Sequence, residues 1–268
     1  VTSHCCVHMV VALGKMIAFD VARQIVKRPT RRDAEKQTTS RPDVFRDVRP
    51  IAAPLVVLAG AQVLDHIDLS LLTGAFRALE RTLGPSASEL AHITVAGKLS
   101  GAFGSPFWGV LSDRYDRRVV LALGCFSWGA TTLLLGCVSS LSALIAVRVL
   151  NGIALSSMTP IVQGVVADMT APQYRGTAFG IFGAIGDAGN IIAMMMVPTM
   201  SNRQLFGIAG WRCTCYLFAL TSALYSIIVI TCLRELNSGF RNGEPVLQSA
   251  LSGMKTIFRT KTWLLICI

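Results

Sequence analysis

The chain has 268 residues, of which 52% are hydrophobic and 15% charged, and its mean hydropathy is +0.55. Ordinary soluble domains carry roughly 25% charged residues, so this composition is too apolar for a water-exposed surface and predicts a protein embedded in lipid. The net charge of +10 would suit a nucleic-acid partner. The basic residues lie in short stretches between long apolar runs, however, and we therefore expect no nucleic acid.

Residues 1–50 predict a basic, disordered cytoplasmic segment. Residues 23–50 are rich in Pro, Thr, Lys and Arg, a composition that buries too little apolar surface to fold. The apolar run at 5–13 is too short to span a bilayer, and no cleavage site follows it. Contact with anionic lipid and a solvated tail without a role both remain open for this segment.

Six predominantly apolar stretches follow, each of the ~20 residues that a bilayer-spanning helix needs. We number them span one to span six; they cover residues 51–72, 90–111, 119–139, 141–167, 177–200 and 211–233. Buried helices of a soluble protein rarely run this long with so few charges. The predicted fold class is therefore all-α transmembrane, with a six-helix bundle at 51–233.

The remaining residues predict a cytoplasmic loop at 234–261 and the start of a seventh span at 262–268. The chain begins with Val1 and ends inside that last apolar run, so we expect it to be a fragment. Of its 25 Lys and Arg residues, 18 lie at 23–50, at 113–118, at Arg175 and at 234–261. Because Lys and Arg are enriched in cytoplasmic loops, these segments are expected to face the cytoplasm.

The eight Cys residues indicate neither a disulfide framework nor a metal site. Most lie in or beside apolar runs, and Cys213 and Cys215 lack the further Cys or His residues that a zinc site needs. The chain contains no nucleotide-binding loop of the G-x-x-x-x-G-K-S/T type. In the predicted spans, no nucleophilic side chain and general base come together at one depth in the membrane. We therefore expect no catalytic residues, no metal and no cofactor, and a protein that is not an enzyme.

A basic motif follows span two and resembles a loop of the major facilitator superfamily. That family has G-x-x-x-D-R-x-G-R-R between its second and third helices, and the matching residues here are Gly109, Asp113, Arg114, Arg117 and Arg118. Asp116 stands where the family usually has Gly, which implies a different turn. By resemblance, this motif is expected to control the conformational cycle.

The resemblance continues in register from about residue 50 to the end of the chain. Arg148 and Gly152 resemble the R-x-x-x-G motif of the family's fourth helix, and Asp168 with Arg175 resembles its next cytoplasmic loop. The family fold has twelve spans in two halves, so this chain is expected to be the N-terminal half and to lack the C-terminal half. The implied function is secondary active transport of a small organic solute or amphiphile by alternating access, driven by a proton or substrate gradient.

Within the superfamily, the sequence looks most similar to the spinster-like branch. Asp65 and His66 in span one resemble its M-D-R sequence, and the loop from Gly109 resembles its G-Y-L-G-D-R-Y-N-R-K. That branch usually carries a Glu seven residues after the Arg of span four, where this chain has Leu155. The missing carboxylate argues against inheriting that branch's proton-coupling mechanism.

Five ionisable residues lie inside the predicted spans, where their cost favours a partner or a wet cavity. At ~1.5 Å of rise per residue from the cytoplasmic ends, Asp65 and Lys98 lie at a depth of ~21 Å, Asp68 at ~26 Å, Arg148 at ~28 Å and Asp187 at ~15 Å. Depth therefore matches Lys98 with Asp65 and Arg148 with Asp68, and leaves Asp187 without a cation. Each of the five is a candidate for substrate binding or coupling. For the matched pairs, the alternative is that they only lock the helices together. For Asp187, the alternative is that it lies in a water-filled cavity.

Small residues form stripes on two spans and predict close helix packing. The stripe on span two consists of Gly97, Gly101 and Gly104, and the stripe on span five of Gly176, Gly180 and Gly183. The predicted partners are thus the lipid bilayer, a small-molecule substrate, protons and the missing half. A non-transporting half-length scaffold is the main alternative, while the loop motif disfavours a receptor and the lack of a filter-like segment disfavours a channel.

Overall fold

The computed structural model describes residues 44–170, 174–205 and 207–233, with side chains from residue 54 onward. Within them the chain forms eight α-helices and one two-stranded hairpin. These are α1 (Val44–Gly74), α2 (Phe76–Leu83), α3 (Ala87–Arg114), α4 (Arg117–Cys137), α5 (Leu141–Leu155), α6 (Met158–Met169), α7 (Arg175–Ser201), β1 (Gln204–Leu205), β2 (Ile208–Ala209) and α8 (Gly210–Cys232).

The helices confirm the predicted all-α membrane fold. Five segments are long and apolar enough to cross a bilayer: Pro54–Gly74, Arg117–Cys137, Leu141–Met169, Arg175–Ser201 and Gly210–Cys232. The segment predicted as span two is the 28-residue helix α3, which is long enough but too polar to meet the same measure. Large apolar side chains such as Phe103 (78% exposed) and Met195 (72%) cover the outside, the pattern expected when the surrounding solvent is lipid.

The structure bears on the predicted N-terminal segment only at its last residues. Helix α1 begins at Val44, so residues 44–50 are helical and the disordered segment predicted for 1–50 is too long. The predictions for residues 1–43 and 234–268, including the central loop and the start of a seventh span, lie outside the described residues.

Span four is broken in the middle, which the sequence analysis did not predict. Helix α5 ends at Leu155, Ser156 and Ser157 form a turn, and α6 begins at Met158. Pro160 lies in the first turn of α6. Because Pro has no backbone N–H and its ring clashes with the carbonyl four residues before it, a straight helix through Ser156 is disfavoured.

The helices pack as close pairs through small residues: α4 against α8, α1 against α7, and α3 against α5. On α8, Ser222 and Ser226 donate hydrogen bonds to the Cys125 and Ala122 carbonyls of α4, at 2.6 and 2.9 Å. Ser70 of α1 donates a hydrogen bond to the Asn190 side chain of α7, at 2.5 Å. Such contacts need backbones that approach closely, as small residues allow.

The two glycine stripes behave differently. The stripe on α3 lies against α5: a Cβ on Gly101 would come 3.2 Å from the Gly152 carbonyl, and one on Gly104 2.6 Å from the Ser156 hydroxyl. A Cβ on Gly176, Gly180 or Gly183 would meet nothing within 4 Å among the described residues.

The prediction of close packing for the α7 stripe is therefore wrong within the described part. The face of α7 that packs on α1 contains Ala178, Phe182, Ile185, Gly189 and Ala193, and the predicted stripe lies on another face. Gly189 instead takes the packing role, because a Cβ there would come 2.7 Å from Val63 of α1.

Candidate functional site

The centre of the bundle contains a buried ion pair between α1 and α5. Arg148 donates from Nη1 to Asp68 Oδ1 at 2.9 Å and from Nη2 to Asp68 Oδ2 at 2.7 Å. The two side chains are 4% and 1% exposed. The depth match predicted this pairing. Two parallel hydrogen bonds fix both direction and distance, so the pair locks the two helices at one register.

Four further side chains complete the polar network around this pair. The Trp128 indole N–H of α4 donates to Asp68 Oδ1 at 3.1 Å, and Arg148 Nη1 also donates to Asn151 Oδ1 at 2.6 Å. The Asn151 amide in turn donates to the hydroxyls of Thr131 and Thr132 on α4, both at 3.1 Å. The sequence analysis missed Trp128 and Asn151; Asn151 lies three residues after Arg148, on the same helix face, which is a usable signal.

Helix α3 contributes space rather than charge to the pair. A Cβ on Gly97 would come 2.7 Å from Arg148 Nε, so only Gly lets α3 lie against the guanidinium. Arg148 Nε is buried and has no hydrogen-bond partner among the described residues. The close approach also reaches the backbone, because a Cβ on Gly152 would clash with the Gly97 carbonyl.

Asp65 is held by the broken span, not by Lys98. Thr159, in the first turn of α6, donates its hydroxyl to Asp65 Oδ2 at 2.9 Å. Lys98 is exposed and forms no ion pair with the described carboxylates. The predicted match of Lys98 with Asp65 is therefore wrong in this structure.

Asp187 of α7 lies beside a histidine of α1. Its Oδ1 lies 3.2 Å from His66 Nδ1 of α1, and the Asp187 side chain is 72% exposed while that of His66 is 19% exposed. A Cβ on Gly186 would come 2.5 Å from His66 Nδ1. Asp187 therefore has an imidazole neighbour, and it forms no ion pair with a described Lys or Arg.

The basic loop motif forms one ion pair between the start of α4 and the end of α6, from Arg117 Nη1 to Asp168 Oδ2. Asp116 is the N-cap of α4 and accepts from the Arg118 N–H at 3.0 Å. Asp113 and Arg114 are exposed and form no ion pair with described residues.

Gly109 does not bring two helix ends together in the part of the chain that the structure describes, because a Cβ there would meet nothing within 4 Å. Its neighbour Trp108 makes the contact to span four instead, by donating its indole N–H to the Ile153 carbonyl at 2.7 Å. The glycine of the motif therefore points away from α5.

The described residues contain no group of three or more His, Cys, Asp or Glu side chains placed to hold a metal ion. The polar side chains between the described helices include carboxylates, the Arg148 guanidinium, the His66 imidazole, amides and hydroxyls. Such groups can bind, release or exchange a charged ligand.

These features define a polytopic α-helical membrane protein with an ionised interior. The chain belongs to the Major Facilitator Superfamily, whose family model matches residues 58–268. The superfamily predicted from the loop motif is thereby confirmed.

Among curated proteins, the chain is similar to a probable actinorhodin transporter of Streptomyces coelicolor, with 30% identity over 160 residues, 60% of this chain and 28% of the relative. It is 29% identical over 144 residues, 53% of this chain, to the puromycin resistance protein pur8 of Streptomyces alboniger, of which it covers 28%. It is 25% identical over 176 residues, 64% of this chain and 44% of the relative, to the quinolone resistance protein NorA of Staphylococcus aureus.

Among solved structures, the chain is similar to a bacterial homolog of the human lysosomal transporter Spinster in an inward-facing, unoccupied conformation. The TM-score is 0.58 at 20% identity, covering 82% of this chain and 49% of that chain. The occupied conformation gives 0.55 at 18% identity, with 76% and 47% covered. At this identity the likeness shows the shared fold, and the spinster-like branch stays a prediction. The chain thus spans about half of that transporter.

Proposed function

We propose that the chain is the N-terminal six-span half of a secondary active transporter that moves a small organic solute or amphiphile by alternating access. The observation that carries the proposal is the set of ionisable groups inside the spans. Such groups are costly in lipid and usually mark a substrate or ion path. Superfamily membership supports the same function.

The Asp68–Arg148 pair holds spans one and four in register, and its network reaches span three through Trp128. Because both charges are already satisfied, this pair is the fixed part of the site. Asp65 and Asp187 form no ion pair with a described Lys or Arg. These two carboxylates are the proposed sites for substrate or a coupling proton, with Lys98 as an exposed cation near Asp65 and Asp68.

The broken span supports this assignment. Discontinuous helices near the bilayer midplane form substrate and ion sites in secondary transporters, because their free ends carry partial charges. Here the N-terminus of α6 begins at Met158, and Thr159 binds Asp65. The missing C-terminal half would provide the opposite wall of the path.

The basic motif is proposed to stabilise one state of the cycle at the cytoplasmic side. Arg117 and Asp168 clamp the ends of α4 and α6, and breaking this clamp would accompany opening. Asp113, exposed at the end of α3, is free to pair with the other half. The N-terminal segment and the 113–118 loop are proposed to face the cytoplasm, in keeping with the excess of Lys and Arg there.

The relatives' names mention actinorhodin, puromycin and quinolones. We take from them only the proposed substrate class, an amphiphilic organic molecule of antibiotic size. The alternative is a half-length membrane scaffold that does not transport.

The test is uptake of a fluorescent quinolone and of puromycin into proteoliposomes under an imposed proton gradient. The chain is used together with a second six-span half. We expect gradient-dependent uptake that is lost in Arg148→Met, because the register between spans one and four is lost. A scaffold would give the same signal as empty liposomes under every gradient.

A further inference from the structure

His66 is the only described histidine whose ring lies against an acidic side chain of another helix. Asp187 Oδ1 of α7 is 3.2 Å from Nδ1, and that nitrogen is shielded from solvent. The contact lacks hydrogen-bond geometry as it stands. His66 Nδ1 therefore has no hydrogen-bond partner among the described residues. A small rotation of the exposed Asp187 side chain would complete the bond.

The rest of the ring is held on both sides. Gln62, one turn earlier on α1, places its Nε2 3.1 Å from His66 Nε2. Gly186 provides the space under the ring, since a Cβ there would come 2.5 Å from Nδ1. The imidazole is thus fixed in position, with one nitrogen directed to α7.

This arrangement suits both protonation states of the ring. In the neutral ring, the Gln62 amide donates to Nε2, and the N–H on Nδ1 faces Asp187. When a proton adds to Nε2, the Gln62 amide turns over so that its oxygen accepts from Nε2–H, because an amide carries a donor and an acceptor on opposite sides. The Nδ1–H bond to Asp187 then becomes charge-assisted and stronger.

Charged and polar groups of several helices face His66. On α1, Asp65 lies beside His66 and acts on it electrostatically, and Asp68 is neutralised by Arg148 of α5. Helix α7 presents Asp187, α6 presents the neutral Thr159, and α3 carries the exposed Lys98. Of the neighbouring α8, Tyr225 is bonded to the Val57 carbonyl, more than two turns away.

We propose that His66 and Asp187 form a proton-binding site of their own, separate from the Asp68–Arg148 pair, in which a proton on His66 ties α1 to α7. The site rests on the proposed function for its role in coupling. Proton binding itself is measured without any transport.

The experiment follows the His66 ring by nitrogen-15 NMR in lipid nanodiscs that contain the full chain with labelled histidine. The chain has four His residues, and the His66 signals are those that disappear in His66→Gln. We expect Asp187→Asn to weaken proton binding at His66 about tenfold or more, as loss of an adjacent opposite charge does. Glu80→Gln, which removes one exposed carboxylate from α2, should leave it unchanged.

A second pair of variants keeps the test independent of charge. Gly186→Ala places a methyl group where Nδ1 lies and should displace the ring, so that Asp187→Asn then has no further effect on proton binding. Gly183→Ala adds the same methyl group one turn away, where it meets nothing within 4 Å among the described residues, and should preserve the Asp187 dependence.

Equal proton binding in the original chain and in Asp187→Asn would overturn the site. So would an unchanged dependence in Gly186→Ala. If the site behaves as expected but no gradient drives quinolone or puromycin uptake, the transport proposal fails and the proton site stands.

Discussion

The most informative perturbation is Arg148→Met, which removes the guanidinium and keeps most of the side-chain volume. Asp68 would then be 1% exposed with one donor left, the Trp128 indole at 3.1 Å. Leaving one member of a buried pair uncompensated typically costs about 3–5 kcal/mol. We therefore expect the free energy of unfolding to fall by that amount, a roughly hundred- to several-thousand-fold shift of the folding equilibrium.

The assay is reversible unfolding of the purified chain in bicelles, monitored by tryptophan fluorescence and far-UV circular dichroism. The double variant Arg148→Met with Asp68→Leu should recover most of the loss, because a buried ion pair replaced by apolar residues is often neutral. Arg117→Gln is the control: its pair with Asp168 is partly exposed and should contribute only about 0–1 kcal/mol. Additive losses in the double variant would refute the reasoning.

Three further predictions follow from the same contacts. Gly97→Ala should destabilise the chain by about 1–3 kcal/mol, because its methyl group would lie 2.7 Å from Nε of the buried Arg148. Gly109→Ala on the same helix meets open space and should be neutral or stabilising. Unfolding in bicelles compares the two variants. Asp65→Asn and Lys98→Ala should have additive effects on unfolding within about 0.5 kcal/mol, since they form no ion pair; a larger coupling energy would restore the pairing inferred from depth. A Cys placed at Arg117 should resist an impermeant maleimide added outside intact cells and react after permeabilisation, and strong labelling from outside would invert the proposed orientation.

The sequence predicted those features of the fold that depend on one property, such as the length and apolarity of a segment or the depth of a residue along its helix. Length and apolarity located five segments that can cross a bilayer, the segment predicted as span two is a long helix that is too polar for the same measure, and a depth counted along the helix axis paired Asp68 with Arg148. Depth carries no information on direction around the axis, however. Successive residues in a helix are ~100° apart, so Lys98 and Asp65 at equal depth point to different places.

The same limit explains the glycines. A stripe such as Gly176, Gly180 and Gly183 shows which residues share a face, but only the packed structure shows whether that face meets a helix. The break at Ser156 was missed because apolarity is continuous through it. Pro160 was the available signal, and with the break came the contact between Thr159 and Asp65.

The central claim is that this chain is one half of a two-part transporter. Its most direct test is gradient-driven quinolone uptake by proteoliposomes that contain residues 1–268 alone or together with a second six-span half. Single-molecule photobleaching serves as the control that the chain alone is monomeric in the liposomes. The account predicts no uptake by the monomeric chain and clear uptake by the two-half protein; uptake by the monomeric chain alone would contradict it.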